Sequence, residues 1–444
     1  MVTANGAAEP RPWKPATLWL LALGILFFSS YNAANWLASQ RADVPAIVFA
    51  WESAVPYWPW TIVPYWSIDL FYCVSLFLCA TRRELDTLAR RLLAIQLISV
   101  AIFVLAPLRN TFVRPETTGI FGLMLDALLA FDKPFNQAPA LHISLLVILW
   151  VHYVRYVTAQ WRWLLHGWFA LIGLSVLTTY QHHFFDIPTG LWAGWFCVWL
   201  FPDHGPSLFA RLHLTRDARR WQLATRYFAG AVLITAVSLC TGGWGLWLLW
   251  AAGSLLLVSM IYGCLDAEAF QKGADGRMSN ASRWLLWPYQ AGAWVNSRWW
   301  TRRMPAANLI ALEVWIGRIP GKCGGSGDLP DGITGIVDLC SELPCPASGA
   351  AYTAVPALDL VTLSQAQLAS AAQTINRAVA NGPVLVCCAL GYSRSAAAVA
   401  AWLITSGRAA GANEALAMIR LARPQIVLHE AQLLALAQLA RNGP

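Results

Sequence analysis

From Thr17 to Gly263 the apolar residues come in long unbroken runs, with neither a period of two nor a narrow helical stripe, and the polar residues gather between the runs. Runs near 17–38, 60–80, 92–108, 139–157, 163–180, 186–201, 227–241 and 244–263 predict a multi-pass α-helical membrane domain of about eight transmembrane helices, because a helix needs about 20 mostly apolar residues to cross the hydrocarbon layer. The first run is longer than a signal-peptide core and no small-x-small cleavage site follows it. It therefore reads as a first span behind a short tail, 1–16.

After Gly263 the pattern changes. The stretch RWLLWPYQAGAWVNSRWWTRR, 283–303, interleaves Trp with Arg, which suits an interfacial linker (264–307) lying among lipid headgroups; a loop packed on the next domain is the other reading. From about Asn308 to the end the pattern predicts a small α/β domain with a mostly parallel central sheet. Short strands are expected at LIALEVWIG, ITGIVDL and VLVCC. Helices are expected at SAAAVAAWLIT, ANEALAMIRLA and HEAQLLALAQLA, and over LSQAQLASAAQTINRAVANG, which opens with Ser364 and Gln367 at capping-box spacing. The domains are thus 1–16, 17–263, 264–307 and 308–444.

Composition agrees with the membrane reading: 57% hydrophobic residues, 25 Trp and only 12% charged residues exceed what a soluble chain of 444 residues buries. Loops after an even number of spans carry Arg82, Arg83, Arg90 and Arg91, then Arg155 and Arg162, then Arg211, Arg216, Arg219, Arg220 and Arg226. That bias puts both termini in the cytoplasm of a multi-pass cell inner-membrane protein, and the net charge of +8 then needs no nucleic acid to explain it. The ten Cys are scattered, so neither a disulfide framework nor a metal site is suggested, and free thiols fit a reducing compartment.

The stretch VLVCCALGYSRS places a strand end at Cys388, a five-residue loop, then Arg394 and Ser395 opening a helix. Such a loop turns successive N–H groups and a helix N-terminus onto a phosphate; Gly391 permits the tight backbone, Arg394 clamps two oxygens, and the field favours the Cys388 thiolate. C-A-L-G-Y-S-R-S resembles the C-x5-R-[ST] loop of the cysteine-dependent dual-specificity and tyrosine phosphatases, over roughly 308–440. The resemblance implies that Cys388 attacks phosphorus, Arg394 binds the phosphoryl oxygens, Ser395 aids thiolate release and Asp359 protonates the leaving group. Asp338 and Glu342 are rival carboxylates for which a structural role is expected. Cys387 stands where the family usually has His, and offers a partner thiol for reversible oxidation.

Three polar segments interrupt the membrane region, where polar groups are expensive: PLRNTFVRPE, FDKPFNQAPALHIS and SVLTTYQHHFFD. The charge bias sets them on the face opposite the cytoplasmic domain. His182 and Asp186, four apart, suit a helix on which the carboxylate holds the imidazole, with His183 the weaker candidate. His142 falls in the first turn of a helix begun by Pro139, placed to protonate a leaving group, while Arg109, Arg114 and Lys133 are candidate phosphate-binding cations. These segments resemble the three motifs of the type 2 phosphatidic acid phosphatase superfamily, in its branch that includes inositol phosphorylceramide synthases. That implies His182 as nucleophile, Asp186 as its partner and His142 as general acid. Pro107, Ala140 and Val176 replace residues usual in those motifs.

The combined expectation is an integral-membrane phosphatase that needs no cofactor, with a phosphocysteine site in the cytoplasm and a phosphohistidine site in the membrane domain. The loop ALGYS has no basic residue, so a phosphotyrosine or a singly phosphorylated lipid is favoured over a polyphosphorylated headgroup, and the tether favours lipid over phosphoprotein. A headgroup transferase and a non-catalytic scaffold for phosphorylated partners are the alternatives.

Overall fold

The computed structural model describes residues 10–321, 329–345 and 349–441. Most of the expected N-terminal tail and the last three residues lie outside these, as does Cys323. The chain divides into two compact units, 1–211 and 212–444.

The first unit is helical: α1 (Trp13–Ser39), α2 (Ile62–Leu78), α3 (Arg82–Leu105), α4 (Gly119–Phe131), α5 (Leu141–Tyr153), α6 (Arg162–Thr178) and α7 (Asp186–Leu200). Thr81 starts α3 by accepting the Glu84 N–H on its hydroxyl, an N-cap placed just before the apolar run. Helix α4 lies within 109–137, where the charged stretches predict a loop; its 13 residues are too few for a span. Glycines let α5 and α7 approach closely. A Cβ on Gly190 would lie 2.6 Å from the Ala140 carbonyl oxygen, and one on Gly194 would lie 2.7 Å from that of Ser144. The Ser144 hydroxyl donates to the Gly190 carbonyl at 2.9 Å across this seam.

The second unit opens with α8 (Ala218–Thr241), α9 (Leu248–Cys264) and α10 (Asn280–Thr301). Among the described residues, five segments are long and apolar enough to cross a membrane: α1, α3, α8, and α2 and α9 each with the 3-10 turn before it. The runs that became α5, α6 and α7 give helices of 13, 17 and 15 residues, so eight spans exceed what length alone supports. The unit boundary at Arg211 groups α8 and α9 with the α/β domain, whereas hydropathy grouped them with the preceding helices.

The α/β domain holds strands β1 (Ala307–Ala311), β2 (Val314–Arg318), β3 (Gly335–Cys340) and β4 (Ala351–Ala357) and helix α11 (Gln365–Val379). Then come β5 (Val384–Cys388), α12 (Arg394–Thr405), α13 (Ala412–Ala422) and α14 (Glu430–Arg441). The sheet order is β1-β2-β5-β3-β4, with only the β1/β2 pair antiparallel. The expected single strand LIALEVWIG is in fact this hairpin. Leu312 and Glu313 both take positive φ at its turn, without the Asn-Gly signature that marks such turns in a sequence. Ser364 caps α11 through the expected box with Gln367.

Alternation along β5 sorts its side chains. Val384, Val386 and Cys388 enter the core under α11 and α12, whereas Leu385 and Cys387 enter a smaller cluster on the other face with Ile336, Cys340 and Cys345.

Candidate active site

Strand β5 ends at Cys388, buried and 3% exposed, and the chain turns at once into the loop 389–393. Gly391 has φ +75, and a Cβ there would sit 2.5 Å from the Gly317 backbone, so only glycine fits. Its N–H donates to the Cys388 Sγ at 3.3 Å, and the Ser395 Oγ lies 3.4 Å from the same sulfur. The Gly391 N–H and the Ser395 hydroxyl thus both face the sulfur.

Arg394, the first residue of α12, is fully buried. Its Nη1 and Nη2 grip the two Glu342 oxygens at 2.9 and 2.6 Å, and Nη2 also lies 3.0 Å from Asp359 Oδ1. Nη1 further donates to the Ala357 carbonyl at 2.9 Å. Its Nε is buried with no partner among the described residues. Burial works against ionisation of Glu342, but the Arg394 charge prevails and holds its carboxyl below the ordinary range.

Asp359 stands on the loop after β4. Burial first and the Glu342 charge next push its carboxyl up, against the pull of Arg394, so the neutral, proton-bearing form is favoured relative to an ordinary Asp. The loop is pinned: the Tyr262 hydroxyl of α9 donates to the Asp359 carbonyl at 3.1 Å, and Arg219 Nε of α8 to that of Leu360 at 3.4 Å.

The structure thus gathers Cys388, Gly391, Arg394, Ser395 and Asp359. It sends Glu342 to Arg394 as an anchor and Asp338 to the other face of the sheet, where Asp338 accepts from the Lys272 ammonium, the Tyr352 hydroxyl and the Cys340 N–H. Cys387 also lies on that other face. It cannot meet Cys388, and its thiol is pushed well up by a hydrogen bond with Cys345 and by burial. The expected oxidation partner is therefore on the wrong side of the strand. Ligand atoms of Asp338, Cys345 and Cys387 fall within 4.8 Å of one another, but the Lys272 ammonium supplies the positive charge a cation would bring.

Sequence reasoning gave no role to three residues that hold the phosphate loop. Arg423 donates from Nε to the Gly391 carbonyl at 2.9 Å and from Nη1 to Asn308 at 2.7 Å. Ser297 of α10 donates to the Ala389 carbonyl, and the Tyr392 hydroxyl donates to the Trp300 carbonyl of α10 at 3.2 Å. Each contact is long-range and leaves no local pattern.

In the helical unit, His182 Nδ1 lies 3.2 Å from Asp186 Oδ2. The expected shared helix is not there. Tyr180, at φ +58, ends α6, His182 sits in the ensuing turn, and Asp186 is the first residue of α7. Asp186 Oδ2 also accepts the His183 N–H at 3.0 Å and, with its amide turned to face its acceptors, Gln137 at 3.1 Å. His183 is fully used: Nδ1 faces Glu52 at 2.7 Å and Nε2 accepts the Thr111 N–H at 3.1 Å. His142 lies in the first turn of α5 as expected, its ring stacked on Tyr65 at 4.1 Å and its Nε2 buried without a partner among the described residues.

No described hydrogen bond or ion pair joins Arg109, Arg114 or Lys133 to these histidines. Arg109 and Lys133 are exposed, and Arg114 donates to Leu125 and Asp126. The first polar segment instead braces the histidine turn through Asn110, which donates to the Tyr180 and Gln181 carbonyls at 2.8 and 2.9 Å.

Residues 331–442 match the family described as dual specificity phosphatase, catalytic domain. The chain carries a phosphatase domain. It is a phosphoric monoester hydrolase. No curated protein matches the chain. Among solved structures, a mouse putative dual specificity phosphatase complexed with zinc tungstate is 28% identical (TM-score 0.27), with 31% of this chain and 89% of that one covered. Human DUSP28 is 25% identical (TM-score 0.28; 30% and 96% covered), and PTPMT1 in complex with PI(5)P is 22% identical (TM-score 0.28; 31% and 96% covered).

Proposed function

We propose that the protein is an integral-membrane phosphatase that cleaves phosphomonoesters through a phosphocysteine at Cys388. The observation that carries this reading is the Cys388 sulfur at a strand end, facing the Gly391 N–H and the Ser395 hydroxyl, with the buried Arg394 closing the loop. The phosphate would take the loop N–H groups and the unpartnered Arg394 Nε, while Glu342 keeps the guanidinium in plane. The thiolate attacks phosphorus as the P–O bond breaks, and Asp359 gives its proton to the departing oxygen. Water then attacks the phosphocysteine, the Asp359 carboxylate takes its proton, and Ser395 donates to the sulfur as the S–P bond breaks. Phosphate release from an aryl phosphate by the full chain should disappear in Cys388→Ser; unchanged release would refute the reading.

A second site belongs to the same proposal. The His182–Asp186 pair, with Gln137 steadying the carboxylate and His142 in the first turn of α5, supports a phosphohistidine lipid-phosphate site of the type 2 phosphatidic acid phosphatase kind. In this reading α1, α2, α3, α5, α6, α7, α8 and α9 are the eight spans of an inner-membrane protein, with domains at 17–263, 264–307 and 308–444. Both termini and the cysteine site face the cytoplasm, and the histidines the opposite side. Lipid-phosphate hydrolysis that survives Cys388→Ser and is lost on adding His182→Ala would support it; a headgroup-exchanged lipid in place of free phosphate would assign a transferase instead. A scaffold without catalysis predicts that neither substitution matters.

A further inference from the structure

The catalytic loops of the phosphatase domain are not held by that domain alone. Ser297 and the Trp300 carbonyl of α10 bond the phosphate loop at Ala389 and Tyr392, and Arg298 of the same helix donates to the Ile319 carbonyl at 3.0 Å. Tyr262 of α9 and Arg219 of α8 hold the acid loop at Asp359 and Leu360. Three tyrosines, one from each helix, form a cluster beside the site: the Tyr227 ring is 5.4 Å from Tyr262 and 5.8 Å from Tyr289, and all three feel the charges of Asp359 and Glu342.

The helices doing this holding have membrane character. Each of α8 and α9 is apolar enough to span. On α10, Trp284, Trp287, Trp294, Trp299 and Trp300 are 49–65% exposed, while Leu285, Leu286, Ser297 and Thr301 are buried. Arg302 lies 3.9 Å from the Trp299 ring centre and Arg298 5.7 Å from that of Trp294, the pairing of rings and guanidinium groups that suits a headgroup layer. Trp250, near the start of α9, stacks on Trp287 at 5.4 Å and donates to the Trp284 carbonyl at 2.9 Å, so the first turns of α10 pack beside that span. The bilayer that α8 and α9 enter therefore covers these exposed tryptophans.

Resting on the phosphocysteine reading, we infer that the Cys388 site takes a phosphate monoester borne on a lipid of that same leaflet. Ser297, which touches the phosphate loop, lies within three residues of the exposed Trp294 and Trp299 on α10, so the loop is within one helix diameter, about 10 Å, of rings that the bilayer covers. An interfacial helix sinks roughly 5–10 Å into the headgroup boundary, so a lipid phosphate meets the loop without leaving its leaflet. The tyrosine cluster offers ring faces to the glycerol and acyl portion and hydroxyls to its polar edge.

The test uses the full chain with His182→Ala, so that only the cysteine site is read, reconstituted in vesicles. Three probes are compared: a long-chain phosphatidylglycerol phosphate in the vesicle, a phosphotyrosine peptide anchored in the same vesicle, and soluble p-nitrophenyl phosphate. The expected result is a kcat/KM for the lipid about 100-fold above both others, with a rate that falls as neutral lipid dilutes the substrate within the membrane. Trp287→Ser with Trp299→Ser should lower lipid hydrolysis about tenfold more than aryl hydrolysis. Should that variant fail to fold, the surface-dilution result decides alone. Aryl hydrolysis with no preference for the lipid, or a preference for the anchored peptide, overturns the inference and leaves the Cys388 reading standing. Aryl hydrolysis that persists in Cys388→Ser overturns both.

Discussion

The sites proposed at Cys388 and at His182 are finished to different degrees. Around Cys388 the candidate phosphate-binding groups are backbone N–H donors and one buried arginine, and each is held by something else: Arg394 by Glu342, Gly391 by Arg423, Ala389 by Ser297. Around His182 the imidazole–carboxylate pair is well fixed, but the nearby cations are exposed or turned toward α4. Phosphoryl transfer depends mostly on positioning and on neutralising charge, so the proposed cysteine site has the cation it needs, while the proposed histidine site has none bonded to it among the described residues.

The largest expected effect bears on the proposed cysteine site. Cys388→Ser should lower kcat for an aryl phosphate by at least about 10^4-fold, measured as phosphate release, because no other thiol shares its loop. Next comes the anchor: Glu342→Gln leaves Arg394 buried beside a neutral group and should cost about 3–5 kcal/mol in denaturant unfolding. The sign with pH follows from its depressed folded value. The stabilisation is present above the ordinary Glu range and lost as pH falls through the folded value, so Glu342→Gln should flatten that acid limb.

Asp359→Asn should slow alkyl phosphates about 10^2-fold and good aryl leaving groups far less, since only the former need a proton. Because burial and Glu342 raise the Asp359 carboxyl, the alkyl-phosphate rate should fall as pH rises through a value above that of an ordinary Asp, and the asparagine variant should lose that limb. Smallest is Tyr262→Phe, which removes one hydrogen bond to the acid loop: about fivefold in kcat for alkyl phosphates and none for aryl phosphates would mark Tyr262 as a positioning residue.

The loop from Cys388 to Ser395 was legible because its chemistry is local: a strand, a glycine and an arginine within eight positions. The sheet edges were not. Strand β4 carries exposed and half-buried residues over most of its length, and the β1/β2 turn lacks a turn dipeptide. Glu52 illustrates the same limit in the helical unit. It lies in a short 3-10 turn with nothing around it to distinguish it, yet it is buried and paired to a histidine 131 positions away. Contacts of that separation are fixed by tertiary packing, which a window of neighbouring residues does not record.

The bonds from Tyr262 and Arg219 to the acid loop bear on heredity as well as on catalysis. A recombination event that moved residues 308–444 to another protein would carry away the nucleophile and the arginine but leave behind the groups that steady the proton donor. The smallest segment that travels with its acid loop intact starts at Leu212, so gene-shuffling lineages should preserve α8 to α10 together with the phosphatase domain as one cassette.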